Sequence, residues 1–181
     1  VQGVGHVGYH LVGHLTKAGA KVTIADIDLD NVRKTVADFS VQAVPPDEIY
    51  DEDCDIFAPC ALGAIINEET IPRLKCKLVA GASNNQLRDE QEDAVRLGDK
   101  HILYAPDFVI NAGGLMNVAK ELEGYNQERA LQQAEGIYGI MKRVLERAKK
   151  DNIRTFRAAN NLAMERIELV GQVRRTCTGR R

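Results

Sequence analysis

The chain has 181 residues, 44% of them hydrophobic and 28% charged, the balance of a globular protein large enough to bury one substantial core. A formal net charge of −2 argues against nucleic-acid and membrane-surface partners, and no apolar run reaches the ~18 residues of a spanning helix. Without a leading signal peptide, and with Cys54, Cys60, Cys76 and Cys177 forming no C-x-x-C pair, the chain is expected to be cytoplasmic with reduced thiols.

The first element is Gly3-Val4-Gly5-His6-Val7-Gly8, a G-x-G-x-x-G spacing that predicts a phosphate-binding turn between a strand and a helix. Only Val1 and Gln2 precede it, where a strand of ~5 residues is expected at the centre of a sheet, so the chain is expected to begin inside its first strand. Residues 7–18 read as a helix, with Val7, Leu11, Val12 and Leu15 on one stripe and Gly19 as the stop. Residues 21–25 are a short β-branched run. Residues 28–39 read as a helix capped by Asp28 or Asp30. After the Pro45-Pro46 break, residues 55–58, 78–80 and 102–104 read as buried strands, with a helix over 86–97. From Gly113-Gly114 onward the pattern is helical, over about 115–122, 127–150 and 155–174. Strands alternating with helices predict an α/β fold of Rossmann type, a doubly wound and mostly parallel sheet with helices on both faces. Residues 1–150 would form that domain, and 151–181 a helical C-terminal extension.

In the glycine turn, Gly3 suits a tight turn, Gly5 a close approach of backbone to pyrophosphate, and Gly8 a helix lying against a strand. His6 and Val7 complete the turn, and the diphosphate would sit on free N–H groups at the positive end of the helix. Asp26 ends the next strand, followed by Ile27. A carboxylate there can accept hydrogen bonds from an adenosine ribose and would repel a 2′-phosphate, which predicts NAD rather than NADP. The bland alternative makes Asp26 a solvated loop acid or a helix cap.

Three later loops, starting at Pro59, Gly81 and Pro106, each follow a strand and so fall at the carboxyl edge of the sheet, where ligands bind in open α/β folds. The first contains Cys60 and Ala61, the second Asn84 and the third Asn111. Taken singly, each is as well explained as a turn rich in Gly and Asn.

Taken together they are more specific. The segments Asp53-Cys54-Asp55-Ile56-Phe57-Ala58-Pro59-Cys60-Ala61-Leu62-Gly63-Ala64, Ala80-Gly81-Ala82-Ser83-Asn84-Asn85-Gln86 and Tyr104-Ala105-Pro106-Asp107-Phe108-Val109-Ile110-Asn111-Ala112-Gly113-Gly114, with Glu135-Gly136-Ile137-Tyr138, resemble the glutamate, leucine, phenylalanine and valine dehydrogenases, the leucine enzymes in particular. The likeness runs from Val1 to at least Arg166. It implies the C-terminal cofactor domain of an NAD-dependent enzyme that deaminates an L-amino acid, leucine or another branched-chain substrate, to a 2-oxo acid and ammonia, and that assembles as a homo-oligomer.

Carried over position by position, the resemblance makes Gly3, Gly5 and Gly8 the pyrophosphate turn and Asp26 the adenosine-ribose acid. It places Cys60 and Ala61 along the nicotinamide half of the cofactor and Asn84 beside the nicotinamide ribose. Asn111 would orient the amino-acid end of the substrate, and Ala134 and Ile137 would lie near its side chain. The smaller residue at Ala134 leaves the choice among branched-chain substrates open, and valine or phenylalanine specificity stays open as well.

The family's glycine-rich segment with a catalytic Lys, a substrate-binding Lys and a catalytic Asp has no match in this sequence. Those residues are expected in an N-terminal domain that the chain lacks, so the chain by itself is expected to be inactive. Lys17, Lys75, Lys120 and Lys142 read as solvated charge. His6, His10 and His14 recur at i, i+4 and i+8, yet no carboxylate or Cys completes a metal set, and no metal is expected. Cys60 has no local His to activate it as a nucleophile. The basic ending from Arg174 to Arg181 reads as a solvated tail. The competing functional class is a non-catalytic, NAD-binding regulatory module.

Overall fold

The structure is a computed structural model that describes residues 1–121 and 127–178, apart from the side chains of 117, 119–121, 127, 130 and 173–178. Five short strands run in parallel: β1 (Thr23–Ile24), β2 (Gln42–Ala43), β3 (Ile56–Phe57), β4 (Leu78–Val79) and β5 (Leu103–Tyr104). β1 pairs with β2, Thr23 opposite Gln42. β4 pairs with β3 on one side and β5 on the other, Leu78 opposite Ile56 and Leu103.

Residues 1–3 join the two ladders. Gln2 bridges in parallel to Ala25 beyond β1 and to Pro59 beyond β3. Four backbone bonds hold the segment: Ala25 N–H to Val1 O at 3.1 Å, Gly3 N–H to Ala25 O at 2.8 Å, Gln2 N–H to Ala58 O at 2.9 Å and Cys60 N–H to Gln2 O at 2.7 Å. The spatial order is therefore β2, β1, residues 1–3, β3, β4, β5. This is an α/β arrangement with parallel strands, because helices carry the chain back between them.

The helices are α1 (His6–Lys17), α2 (Leu29–Phe39), α3 (Glu92–Asp99), α4 (Asp107–Ile110), α5 (Gly113–Glu121), α6 (Gln127–Asp151) and α7 (Thr155–Thr178). Of the expected stripe of α1, Val12 meets α2 and β1 in a cluster built on Val4, Val12, Ile24 and Val41, whereas Val7 is 51% exposed. A larger cluster around Phe57, Ile66, Val79, Leu97 and Tyr104 lies under β3–β5. Val109, Val144, Ala148, Ala158 and Ala159 bury α4, α6 and α7 against one another. Arg147 of α6 adds ion pairs to Asp151 and, at 2.7 Å, to Glu165 of α7. No helix is long and apolar enough, among the described residues, to cross a membrane.

Several expectations change. The helix expected over 86–97 begins only at Glu92. Leu87 is held in a bridge to Ile66, and Asp89 acts as a cap, its Oδ1 accepting from Gln91 N–H (3.0 Å) and Glu92 N–H (2.7 Å). Asp93 returns the exchange by accepting from Asp89 N–H at 2.8 Å, so local side-chain bonds win over helix continuation. Gly113 and Gly114 stand inside α5 rather than before it. β2 falls where no element is expected, and α4 in the loop expected from Pro106: Gln42 and Ala43 are exposed and carry no apolar alternation, and their strand exists through pairing with β1. Of the two candidate caps for α2, Asp28 serves, accepting from Asp30 N–H at 2.9 Å. The expected end of α5 at 122 and the side chains of Cys177 and of the basic ending lie outside what the structure describes.

Candidate functional site

The glycine turn sits where residues 1–3 leave the sheet and α1 begins. Gly3 has φ +93°, and a Cβ there would meet Ala61 Cβ at 2.6 Å and Ala61 N at 2.7 Å. A Cβ on Gly8 would lie 2.0 Å from Gly3 O, closer than any atom pair tolerates. Both positions require glycine for the protein's own packing. Gly5 is different. Its φ is an ordinary −64°, and nothing lies within 4 Å of the place a Cβ would occupy.

That open space faces the start of α1. Gly5 is the helix cap, it offers no side-chain acceptor, and the first turn holds no acidic residue. The leading N–H groups and the positive end of the helix dipole are thus left for a ligand, and an anion is the chemistry they favour. His6 and Val7 are exposed beside them. The residues present fit a diphosphate.

Asp26 sits next to this turn and is partly committed. Its Oδ2 accepts from Val4 N–H at 2.6 Å and its Oδ1 from Asp28 N–H at 2.9 Å. Asp26 is therefore an acid that fixes the turn, while the cap of α2 is Asp28. Two lone pairs fix the turn, and a carboxylate has about four acceptor sites, which leaves capacity facing solvent. Ile27, 88% exposed, flanks it.

Cys60 and Ala61 fall directly beneath the turn: Ala61 touches Gly3, and the Cβ of Cys60 comes within 3.3 Å of a Cβ placed on Gly8. Burial pushes the Cys60 thiol up from its ordinary pKa, against an opposing bond from the Ala82 backbone. It is a packed neutral thiol, not an activated nucleophile.

On the β3–β5 side the structure brings Asn84 and Asn111 together: Asn111 Nδ2 donates to Asn84 Oδ1 at 2.7 Å across 27 residues of chain. The loop bearing Asn84 is fixed from below. Ser83 N–H donates to Pro59 O at 3.0 Å, and the buried Gln86 amide donates to Gly81 O at 2.8 Å and Ser83 O at 3.0 Å. Gly81 and Gly63 have backbone within 2.1 and 2.6 Å of a would-be Cβ, so the loops after β3 and β4 interlock. Ala134 and Ile137 lie half-buried on α6, outside the cluster that its later residues form with α7.

The His6 and His10 rings meet edge to face at 5.2 Å, and among the described residues no group of three His, Cys, Asp or Glu side chains could hold a metal. Lys17, Lys75 and Lys142 are exposed; the Lys120 side chain is outside the described residues. Sequence reasoning overlooked Lys100, whose Nζ donates to the carbonyls of Ile71, Pro72 and Leu74 at 2.7–3.1 Å and closes a turn. It also overlooked Gln86 and Asp107, which hold the asparagine loops. A groove of about 800 Å³ lies away from these loops, between α3 and the start of α7, lined by residues that include Glu90, Val95, Phe156 and Arg157.

Known proteins share this architecture. A family model described as Glutamate/Leucine/Phenylalanine/Valine dehydrogenase matches residues 23–174. The leucine dehydrogenase of Thermoactinomyces intermedius is 56% identical over 176 residues, 97% of this chain and 48% of that protein. The leucine dehydrogenase of Bacillus subtilis (strain 168) is 55% identical over 168 residues, 93% of this chain and 46% of that protein. The crystal structure of L-tryptophan dehydrogenase from Nostoc punctiforme superposes with a TM-score of 0.90 at 45% identity, covering 92% of this chain and 51% of that one. The chain spans about half the length of the curated relatives it matches. With a family model matched over most of its length, the chain belongs to the glutamate/leucine/phenylalanine/valine dehydrogenases, a family of amino-acid dehydrogenases.

Proposed function

We propose that this chain is the NAD-binding half of an amino-acid dehydrogenase that oxidatively deaminates leucine or a related branched-chain L-amino acid to its 2-oxo acid and ammonia. In this reading residues 1–150 are a Rossmann-type, doubly wound domain and 151–181 its helical extension. The observation that carries the proposal is the open space at Gly5, before an uncapped helix and beside Asp26.

NAD, when bound, supplies the hydride acceptor; the chain's own residues seat it. The first N–H groups of α1 hold the diphosphate, with Gly3, Gly5 and Gly8 letting the backbone come close and His6 and Val7 at its rim. Asp26 accepts from the adenosine ribose with the lone pairs that Val4 and Asp28 leave free, and its charge disfavours a 2′-phosphate; Ile27 covers the adjacent apolar surface. Cys60 and Ala61 back the nicotinamide half.

The Asn pair divides its groups. The Asn84 carbonyl is taken by Asn111, so its amide N–H groups are left as donors toward the nicotinamide ribose. The Asn111 carbonyl is left as an acceptor for the amino-acid end of the substrate. Ala134 and Ile137 form part of the side-chain wall. The lysine and aspartate that move protons in this family belong, in this reading, to the half of the relatives' length that the chain does not span. The whole enzyme would be a cytoplasmic homo-oligomer.

Titration of the chain with NAD and NADP tests the reading. Weak NAD binding, tighter than NADP, with no leucine-dependent NADH formation is expected. NADP binding as tight as NAD would remove the role of Asp26, and turnover by this chain alone would refute the division of labour.

A further inference from the structure

Asn84 and Asn111 stand on separate loops, and one bond between two largely solvent-facing amides is a weak reason for them to meet. The loop that carries Asn84 is not self-sufficient. Two of its polar atoms, Ser83 Oγ and Gln86 Oε1, are buried with no hydrogen-bond partner. A buried unpaired polar group opposes the conformation that buries it, so ties from outside the loop matter more.

Such a tie comes from Asp107. Its Oδ2 accepts from Gln86 N–H at 3.2 Å, which pins the end of the Asn84 loop. Its Oδ1 accepts from Phe108 N–H at 2.9 Å, within the first turn of α4. Its backbone carbonyl accepts from Asn111 N–H at 2.8 Å, and its own N–H donates to Tyr104 Oη at 3.3 Å, anchoring it to the end of β5. One residue thus binds the loop of Asn84, the turn that ends at Asn111, and the strand beneath both. Two of these ties are made by the carboxylate and two by the backbone of Asp107, beside the bonds from Ala64 N–H to Asn85 O (2.6 Å) and from Ile66 N–H to Gln86 O (3.0 Å) that hold the same loop to the one after β3.

We propose that Asp107 is a positioning residue, which holds Asn84 and Asn111 in the relative orientation that receives the nicotinamide-ribose half of the cofactor. The inference rests on the reading of this edge as an NAD site. It makes a specific claim: Asp107 acts through Asn84, and only on ligands that reach the asparagine pair.

The test compares NAD with ADP, which lacks the nicotinamide ribose, by calorimetric titration of the chain and of Asp107→Ala, Asp107→Asn, Asn84→Ala and the Asp107→Ala/Asn84→Ala double variant. Asp107→Ala should weaken NAD about tenfold and leave ADP within about twofold. Asp107→Asn keeps one acceptor oxygen and should lose only about threefold. In the Asn84→Ala background, Asp107→Ala should add no further loss, a non-additivity that a general destabilisation would not produce. Asp107→Asn removes the same negative charge as Asp107→Ala, so a smaller NAD loss in Asp107→Asn separates the lost ties from the lost charge. Equal changes for NAD and ADP, or additive losses in the double variant, would overturn the positioning role while leaving the cofactor site intact. Failure of the unmodified chain to bind either ligand would overturn the cofactor reading, and this inference with it.

Discussion

At residues 3–8 the protein offers a ligand its backbone, while at Asn84 and Asn111 it offers side chains. Around the glycine turn, two of three glycines are fixed by contacts inside the protein. Gly3 abuts Ala61 and Gly8 abuts the Gly3 carbonyl, whereas Gly5 faces nothing. Around the asparagine loops, the outward-facing amides are positioned by Gln86 and Asp107, which are at least half-buried and bonded to the loops' own backbone. The first region couples stability to geometry so closely that most changes cost both. In the second, the groups facing outward can be altered without touching the core. The difference teaches where function and fold can be separated by mutation.

The comparison breaks most visibly at Gly8. A methyl group there overlaps the Gly3 carbonyl, so Gly8→Ala should cost roughly 3 kcal/mol and lower Tm by about 6–12 °C in thermal unfolding. Gly3→Ala should lie close behind, because positive φ adds to the clash with Ala61. Asp26→Ser comes next. Losing the acceptor of Val4 N–H should cost about 1–3 kcal/mol, and NAD should weaken far more than NADP when the two are titrated side by side. Equal losses for both cofactors would reduce Asp26 to an acid that fixes the turn. Asn111→Ala should leave Tm within about 2 °C, as expected for a surface amide, while weakening NAD; a large Tm drop would show that the second region is not separable after all.

A further effect is one of pH. Burial pushes the Cys76 thiol up to about 11 from an ordinary 9.0, so the folded protein holds that proton more tightly than the unfolded chain. Its contribution to stability is complete below about pH 9 and is lost as pH rises toward 11. Melting curves between pH 8 and 11 should therefore show a modest decline that Cys76→Ala flattens.

The two regions also differ in how far the sequence revealed them. The glycine turn, α1, α2 and the strands around Ile24, Phe57, Val79 and Tyr104 follow from local signals: glycine spacing, helical periodicity, an Asp cap and short apolar runs. The asparagine side depends on partners far along the chain. Gln86 reads as a helix start until its N–H is seen spent on Asp107, 21 residues away. Asp107 reads as a loop acid because a single-turn helix has too little length for periodicity. β2 carries no strand pattern of its own and exists through its pairing with β1. The pairing of Asn84 with Asn111 is a tertiary fact; the sequence placed both on loops at the carboxyl edge of the sheet, and the family resemblance gave each a role.

Gly5→Ala puts the central claim to the most direct test. Its backbone angle suits alanine and the added methyl meets no protein atom, so the fold should be untouched, with Tm within about 2 °C of the parent. The same methyl would occupy the space assigned to the diphosphate. Calorimetric titration should then show NAD affinity reduced by about tenfold or more. A variant that keeps its Tm and binds NAD as tightly as the parent would contradict the placement of the cofactor at this turn.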